Sequence, residues 1–270
     1  MRYRHFMAAI DEHDRDFVEA VSWQEGFSNL YFEELPENEI GLHVIVEEGQ
    51  GLPEFLSFLE LIDLGSTEES DWYLKWRETL VPFRLCEGFT VIPLENEALI
   101  EERDLIGLIP GMAFGTGLHE STRLAASLLK EVVREGLEVL DVGCGTGILS
   151  VLARKAGASK ALGLDNDPYA VEKTKETARI NCASVDVRLS DFLSSLKGEE
   201  SFDLIVSNMI AELLENFVGE LELHLKDDGY LVLSGIYGDR YSLLAKHTIN
   251  YTVEKVEEDG DWKAFLLKKR

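Results

Sequence analysis

Residues 138–149 read EVLDVGCGTGIL. Apolar residues lead into Asp141, then Gly143, Gly145 and Gly147 alternate with Val142, Cys144 and Thr146, and a helical pattern begins at Ile148. The order is strand, tight turn, helix. Glycine lets the backbone turn sharply and lets a ligand approach with no Cβ in the way. The spacing is neither the dinucleotide GxGxxG nor the phosphate loop GxxxxGK[ST]. It is DxGxGxG, with a carboxylate at its mouth. A carboxylate is a poor neighbour for phosphate and a good one for a cationic amine.

The pattern resembles the first motif of class I S-adenosylmethionine-dependent methyltransferases. Downstream the chain alternates strand and helix. Strands are expected at Ala161–Asp165, Val185–Leu189, Phe202–Ser207 and Tyr230–Ser234, and helices at Leu149–Ala156, Pro168–Asn181, Ile210–Leu225 and Asp239–His247. Two last strands, Tyr251–Glu258 and Trp262–Lys268, flank Asp259-Gly260-Asp261, a link short enough to require an antiparallel pair. Repeated βα units imply a doubly wound, mostly parallel sheet with helices on both faces. Ligands of such sheets bind beyond the carboxyl ends of the strands. Those ends carry Asp141, Asp165, Asp191 and Asn208. Asp165 is placed to accept from ribose hydroxyls and Asp191 from an adenine amino group. Asp167 and Pro168 read as a helix cap and a first-turn proline, a structural pair.

Upstream, residues 111–133 form a glycine-punctuated loop followed by an amphipathic helix; Thr116, His119, Ser121 and Thr122 make the loop a candidate wall of the site, although Ser or Thr there also serves as a helix cap. Before it, Phe89–Pro93 and Asp104–Ile109 read as extended, and Asp71–Leu80 as a linker helix with Trp72 and Trp76 on one face. The amino-terminal part reads strand (Arg2–Ile10), helix (Asp14–Gly26), two strands (Asn29–Glu34, Ile40–Val46) and helix (Leu52–Leu64). A further strand near Thr67 completes a small α+β, ferredoxin-like domain. The expected division is residues 1–66, a linker at 67–94 and a methyltransferase domain at 95–270.

The chain has 51 acidic and 26 basic residues, a net charge of −25. That opposes stable nucleic-acid binding, where Lys and Arg must neutralise phosphates, and suits a basic partner or plain solubility. Cys86, Cys144 and Cys182 are too few and too dispersed for a metal site or a disulfide framework, so no metal and a reducing, cytoplasmic setting are expected. Asp11, Glu12 and Asp14 come too early for a signal peptide, and no apolar run has the length of a membrane span. A monomer is expected.

Several segments together carry a closer resemblance: DWYLKW (71–76), IPGMAFGTGLHEST (109–122), VLDVGCGTGILS (139–150), LDNDPYA (164–170), IVSNMIAELL (205–214) and LSGI (233–236). The chain resembles the methyltransferase family that modifies protein eleven of the large ribosomal subunit. The resemblance implies a seven-stranded sheet with an antiparallel last strand and S-adenosylmethionine as cofactor. Gly143, Gly145 and Gly147 would surround its methionine and ribose, Asp165 would hold the ribose and Asp191 would approach the adenine. Phe114, Gly115 and Thr116 would close one side, supported by His119 and Thr122, and Asn208 would stand at the acceptor amine as the catalytic residue. The acceptors would be lysine side chains and the terminal amine of a basic ribosomal protein, recognised by the amino-terminal domain. The chain departs from the family pattern at Ser121, where HxTT is usual, at Leu94, where Trp is common, and at Arg240, where Gln is usual. Three rival readings remain: methylation of another protein or small-molecule amine, methylation of adenine or free glutamine, and cofactor binding without transfer. The nucleobase and glutamine enzymes show NPP[FYW] at this strand end; here it is Asn208-Met209-Ile210-Ala211, with no aromatic to stack on a planar group.

Overall fold

The structure, a computed structural model, describes residues 2–11, 14–15, 17–18, 21–22, 27, 30–35, 39–68, 81–109 and 117–270. Trp72, Trp76 and the whole expected linker helix lie outside the described residues, as does the turn at 36–38. The chain divides into two compact units, residues 1–81 and 82–270.

In the first unit, β1 (Arg2–Ile10), β2 (Leu30–Glu34), β3 (Ile40–Glu47) and β4 (Ile62–Glu68) form an antiparallel sheet in the order β2-β3-β1-β4. Its core holds Ala8, Ile10, Val18, Leu42, Val44 and Leu56. The helix expected over Leu52–Leu64 does not form. A single 3-10 turn, Glu54–Leu56, buries Leu56, and Ile62–Leu64 already belongs to β4. Leu52 and Phe58 are exposed. The segment satisfies helical and strand periods at once, and pairing of Ile62 with Met7 decides for the strand.

The second unit opens with β5 (Phe83–Cys86) and β6 (Phe89–Pro93), an antiparallel hairpin, and β7 (Leu105–Leu108), parallel to β6. Then come α1 (Glu120–Val132), β8 (Glu138–Val142), α2 (Ile148–Ala156), β9 (Lys160–Asp165), α3 (Pro168–Ile180), β10 (Asp186–Leu189) and β11 (Phe202–Asn208). Two short helices, α4 (Ala211–Leu214) and α5 (Leu221–His224), precede β12 (Leu225–Tyr237), β13 (Tyr251–Asp259) and β14 (Trp262–Lys269). Seven strands form one mixed sheet, in the order β10-β9-β8-β11-β12-β14-β13. The pairs from β10 to β12 are parallel, and β14 runs antiparallel to both neighbours. Val139, Leu140, Leu162, Leu204 and Ile205 on the central strands are fully buried, as strands covered on both faces require. Strand order reverses between β8 and β11. The crevice beyond their carboxyl ends is therefore the expected ligand position.

Two further helices differ from expectation. Ile210–Leu225 breaks into α4, a 3-10 turn at Val218–Glu220 and α5. Phe217 leaves helical geometry at φ −135° and stacks on Phe192, ring centroids 4.8 Å apart. Over Asp239–His247 only a 3-10 turn forms, Arg240–Leu243. Its tighter pitch eclipses positions three apart, so Tyr241 stacks on Phe265 at 3.9 Å while Leu244 is buried beside it. No described helix is long and apolar enough to cross a membrane.

Candidate active site

The loop after β8 is left-handed at alternate residues: φ is 75° at Gly143, 53° at Gly145 and 77° at Gly147. Side chains resist this region, which is why the glycines alternate. The Gly143 and Cys144 amides donate to the Leu164 carbonyl at 2.8 and 3.0 Å, folding the loop over the end of β9. Gly145 is held from both sides. Its N–H donates to Asp165 Oδ2 at 2.8 Å, and its carbonyl accepts from Thr174 Oγ1 at 2.9 Å. A Cβ on Gly147 would come within 2.7 Å of Thr174 Cγ2, and one on Gly143 would overlap the Met209 methyl.

Asp141, one residue before the end of β8, is buried. Its Oδ2 accepts from Ser150 Oγ at 2.7 Å, while its buried Oδ1 has no hydrogen-bond partner among the described residues. Burial pushes its pKa up to about 7, with the Asp165 charge adding to the rise and the Ser150 bond opposing it. Asp165 closes β9 and is likewise raised by burial, against hydrogen bonds from the Asp167 and Gly145 amides. Asp167 caps α3, accepting the Tyr169 amide at 2.8 Å with Pro168 in the first turn, as the structural reading expects. Asp191 follows β10 and is exposed. The residue after it, Phe192, sits at φ 43° and turns its ring onto Phe217.

On the other side of the crevice, Asn208 ends β11 and is buried. Its Nδ2 donates to Thr122 Oγ1 at 3.1 Å, and its buried Oδ1 has no partner among the described residues. His119 caps α1, its Nδ1 accepting the Ser121 amide at 3.1 Å, and its ring meets Trp262 edge-on at 4.7 Å. Ser234 Oγ donates to the Ser121 carbonyl at 2.7 Å, and Met209 N–H to the Ser234 carbonyl at 3.1 Å. The start of α1 is thereby tied to the ends of β11 and β12. Ser121 and Thr122 are therefore not the cap, which is His119; they lie in the first turn, where the Thr122 hydroxyl holds the Asn208 amide. Phe114, Gly115 and Thr116 lie outside the described residues.

Ser150, Thr174 and Ser234 escaped sequence reasoning. The signal was faint but present: Ser150 and Thr174 are polar residues on helix faces that are otherwise buried. What the crevice offers chemically is one-sided. Asp141 Oδ1 and Asn208 Oδ1 are acceptors without donors, on neighbouring strands, with Asp141 opposite Val206 and Asn208 two residues further out. Native proteins rarely leave buried acceptors unmet. The pair suits N–H-bearing, cationic groups and repels phosphate, so the site fits the ammonium of S-adenosylmethionine and an amine acceptor. Among the described residues no group of His, Cys, Asp and Glu is arranged to hold a metal ion.

Comparison with known proteins gives the same chemistry. A family described as ribosomal protein L11 methyltransferase (PrmA) matches residues 15–270. A ribosomal protein L11 methyltransferase of Thermosipho africanus is 38% identical over 269 residues, 98% of each chain. One of Thermotoga maritima is 35% identical over 273 residues, covering both chains in full. Among solved structures, ribosomal protein L11 methylase from Lactobacillus delbrueckii subsp. bulgaricus superposes with a TM-score of 0.63 at 26% identity, over 71% of this chain and 98% of its own. The chain belongs to the ribosomal protein L11 methyltransferase family, S-adenosylmethionine-dependent enzymes that methylate protein.

Proposed function

We propose that this enzyme transfers methyl groups from S-adenosylmethionine to lysine side-chain and terminal amines of large-subunit ribosomal protein L11. The observation that carries the reading is the pair of unmet buried acceptors, Asp141 Oδ1 and Asn208 Oδ1, flanking the glycine loop. In this reading Asp141 receives the cofactor ammonium, and Gly143, Gly145 and Gly147 surround its methionine and ribose. Asp165 holds the ribose and Asp191 reaches the adenine. Phe114, Gly115 and Thr116 close one side, with His119 and Thr122 behind them. The sheet is the doubly wound methyltransferase type. The amino-terminal unit, ferredoxin-like in its strand order, is the recognition module, and the expected linker of 67–94 shortens to the stretch between β4 and β5. The enzyme acts as a cytoplasmic monomer on a basic protein and forms no stable complex with nucleic acid.

The bound cofactor supplies a methyl group already activated by sulfonium charge. The residues of the chain then have three tasks. They orient the acceptor, since alignment alone contributes several kcal/mol. They exclude water. They favour the neutral amine, because an ammonium has no lone pair and a free lysine has a pKa of about 10.4. A buried cleft lowers the pKa of an amine. Asn208 Oδ1 accepts one N–H and so points the lone pair inward, and Thr122 fixes the amide that does this. The displaced proton leaves to solvent.

The test is transfer from labelled S-adenosylmethionine to unmethylated L11, read by intact mass. Gains in steps of one methyl on L11 support the reading, and tight cofactor binding with no gain on L11 rejects the substrate. Asn208→Ala is expected to lower kcat about 100-fold, as loss of one well-placed polar group does elsewhere, with cofactor affinity within about twofold. Full turnover of Asn208→Ala at saturating cofactor would remove Asn208 from the mechanism.

A further inference from the structure

A third buried acceptor near the crevice has no partner among the described residues: Glu212 Oε2. Glu212 stands in the first turn of α4, four residues after Asn208. Its other oxygen, Oε1, meets Arg240 Nε at 3.4 Å. The Arg240 guanidinium also lies over the Tyr237 ring, 5.7 Å from its centroid. Tyr237 ends β12 three residues beyond Ser234, which pairs with Asn208. Between Ser234 and Tyr237, β12 shifts register and bends at Gly235, whose φ is 82°. The orientation of the Tyr237 ring is fixed: the hydroxyl donates to Asp261 Oδ2 at 3.0 Å, and the ring meets Trp262 edge-on at 5.3 Å.

A carboxylate beside an aromatic face is the chemistry that recognises positive charge. Here both groups converge on one cation, and that cation belongs to the chain itself. Its hold is weak. The contact is a single one at 3.4 Å, longer than an ordinary charge-assisted bond, and the two side chains are 46% and 38% exposed. Such pairs contribute little. Arg240 Nε carries one N–H and leaves Oε2 unmet, whereas a lysine ammonium carries three.

We propose that Glu212 and Tyr237 form a cation-binding point at the mouth of the acceptor site, and that Arg240 occupies it until a basic side chain of the acceptor segment displaces it. Arg240 is then a specificity residue: only a segment carrying positive charge dislodges it and proceeds to Asn208. The inference rests on the reading of the enzyme as a protein amine methyltransferase and adds how a basic substrate is selected.

The test is steady-state transfer to purified unmethylated L11 at saturating S-adenosylmethionine and low ionic strength, where charge effects are least screened. Glu212→Gln is expected to raise KM for the protein about tenfold or more while kcat stays within about twofold. Arg240→Gln is expected to lower KM about threefold to tenfold, because the carboxylate loses its competitor. Tyr237→Leu raises KM as Glu212→Gln does; Tyr237→Phe, which keeps the ring face but loses the hydroxyl bond to Asp261, raises it less. Cofactor affinity by calorimetry is unmoved in each. A Glu212–Arg240 pair that merely braced α4 would make both variants move the same way, with lower melting temperature and higher KM. That outcome, or an unmoved KM in Glu212→Gln, overturns the proposal, and Tyr237→Leu decides should Glu212→Gln fail to fold. Wild-type enzyme that binds cofactor yet transfers nothing to L11 overturns instead the functional reading on which the proposal stands.

Discussion

Asp141→Asn is expected to weaken S-adenosylmethionine binding about 100-fold or more while leaving the unliganded protein as stable as before, or more so. The carboxylate is buried, one oxygen is engaged by Ser150 and the other is unmet. An ionised group so placed opposes folding. The amide has the same shape, keeps an oxygen for the Ser150 hydroxyl and carries no charge to desolvate. Toward a ligand ammonium the balance reverses. Removing one partner of a buried ion pair costs about 3 kcal/mol or more, which is about two powers of ten in affinity. Lower affinity with equal or higher melting temperature separates a ligand-binding carboxylate from a structural one. Wild-type affinity in Asp141→Asn would show that the ammonium binds elsewhere.

The same residue makes binding pH-dependent. The folded pKa is raised from 3.8 to about 7, so the unliganded carboxyl is largely protonated below that value. Only the ionised form pairs with an ammonium. Affinity should therefore fall as pH drops below about 7, approaching tenfold per unit, and binding near pH 6.5 should release a proton. Calorimetry in buffers of different ionisation enthalpy reads that release directly, and Asp141→Asn should abolish it. For stability the sign is opposite to that of a salt-bridged acid. A raised carboxyl contributes most below its unfolded pKa, and the contribution is lost as pH rises through about 7. The cofactor should accordingly raise the melting temperature more at pH 8 than at pH 6.

The loop that holds Asp141 was legible from the sequence because only glycine tolerates what its backbone does: left-handed φ at 143, 145 and 147. The βα alternation pointed to an α/β sheet of mostly parallel strands, and Arg2–Ile10 and Phe89–Pro93 form strands with the expected bounds. Legibility ended where a tertiary partner decided between periods. Tyr241 and Leu244 have helical spacing, yet Phe265 draws them into a 3-10 turn. Phe217 leaves its helix to reach Phe192, which lies 25 residues earlier in the chain. Ser150, Thr174 and Ser234 were illegible for a related reason: each acts through a bond to a residue at least nine positions away. Glu212 looked like one acid among 51; its unmet oxygen is a property of the fold alone.

Gly235→Ala should cost both stability and turnover, and for one reason. Gly235 has φ 82°, so an alanine there is strained before any contact is counted. An added Cβ would lie 2.6 Å from the Met209 carbonyl oxygen, 2.7 Å from its carbon and 3.0 Å from its nitrogen. These are backbone atoms, which cannot swing aside as a side-chain tip does. Left-handed strain of about 1–2 kcal/mol and overpacking of about 1–3 kcal/mol together predict a loss of roughly 2–5 kcal/mol. The displaced backbone is that of Met209, the residue after Asn208, tied to β12 by its N–H bond to the Ser234 carbonyl. Movement there shifts Asn208 and carries the Met209 side chain that overlies Gly143. Misplacement of reacting groups by about 1 Å lowers rates about 100-fold, so kcat should fall at least that far. Gly136→Ala isolates the backbone strain: φ there is 89° with nothing within 4 Å of the added Cβ, and Gly136 lies between α1 and β8 at the start of the strand. It should lose about 1–2 kcal/mol and keep its turnover. Equal losses in the two variants, with turnover intact in Gly235→Ala, would mean that Asn208 is held by Thr122 alone and that the close approach of β12 to Met209 serves packing rather than catalysis.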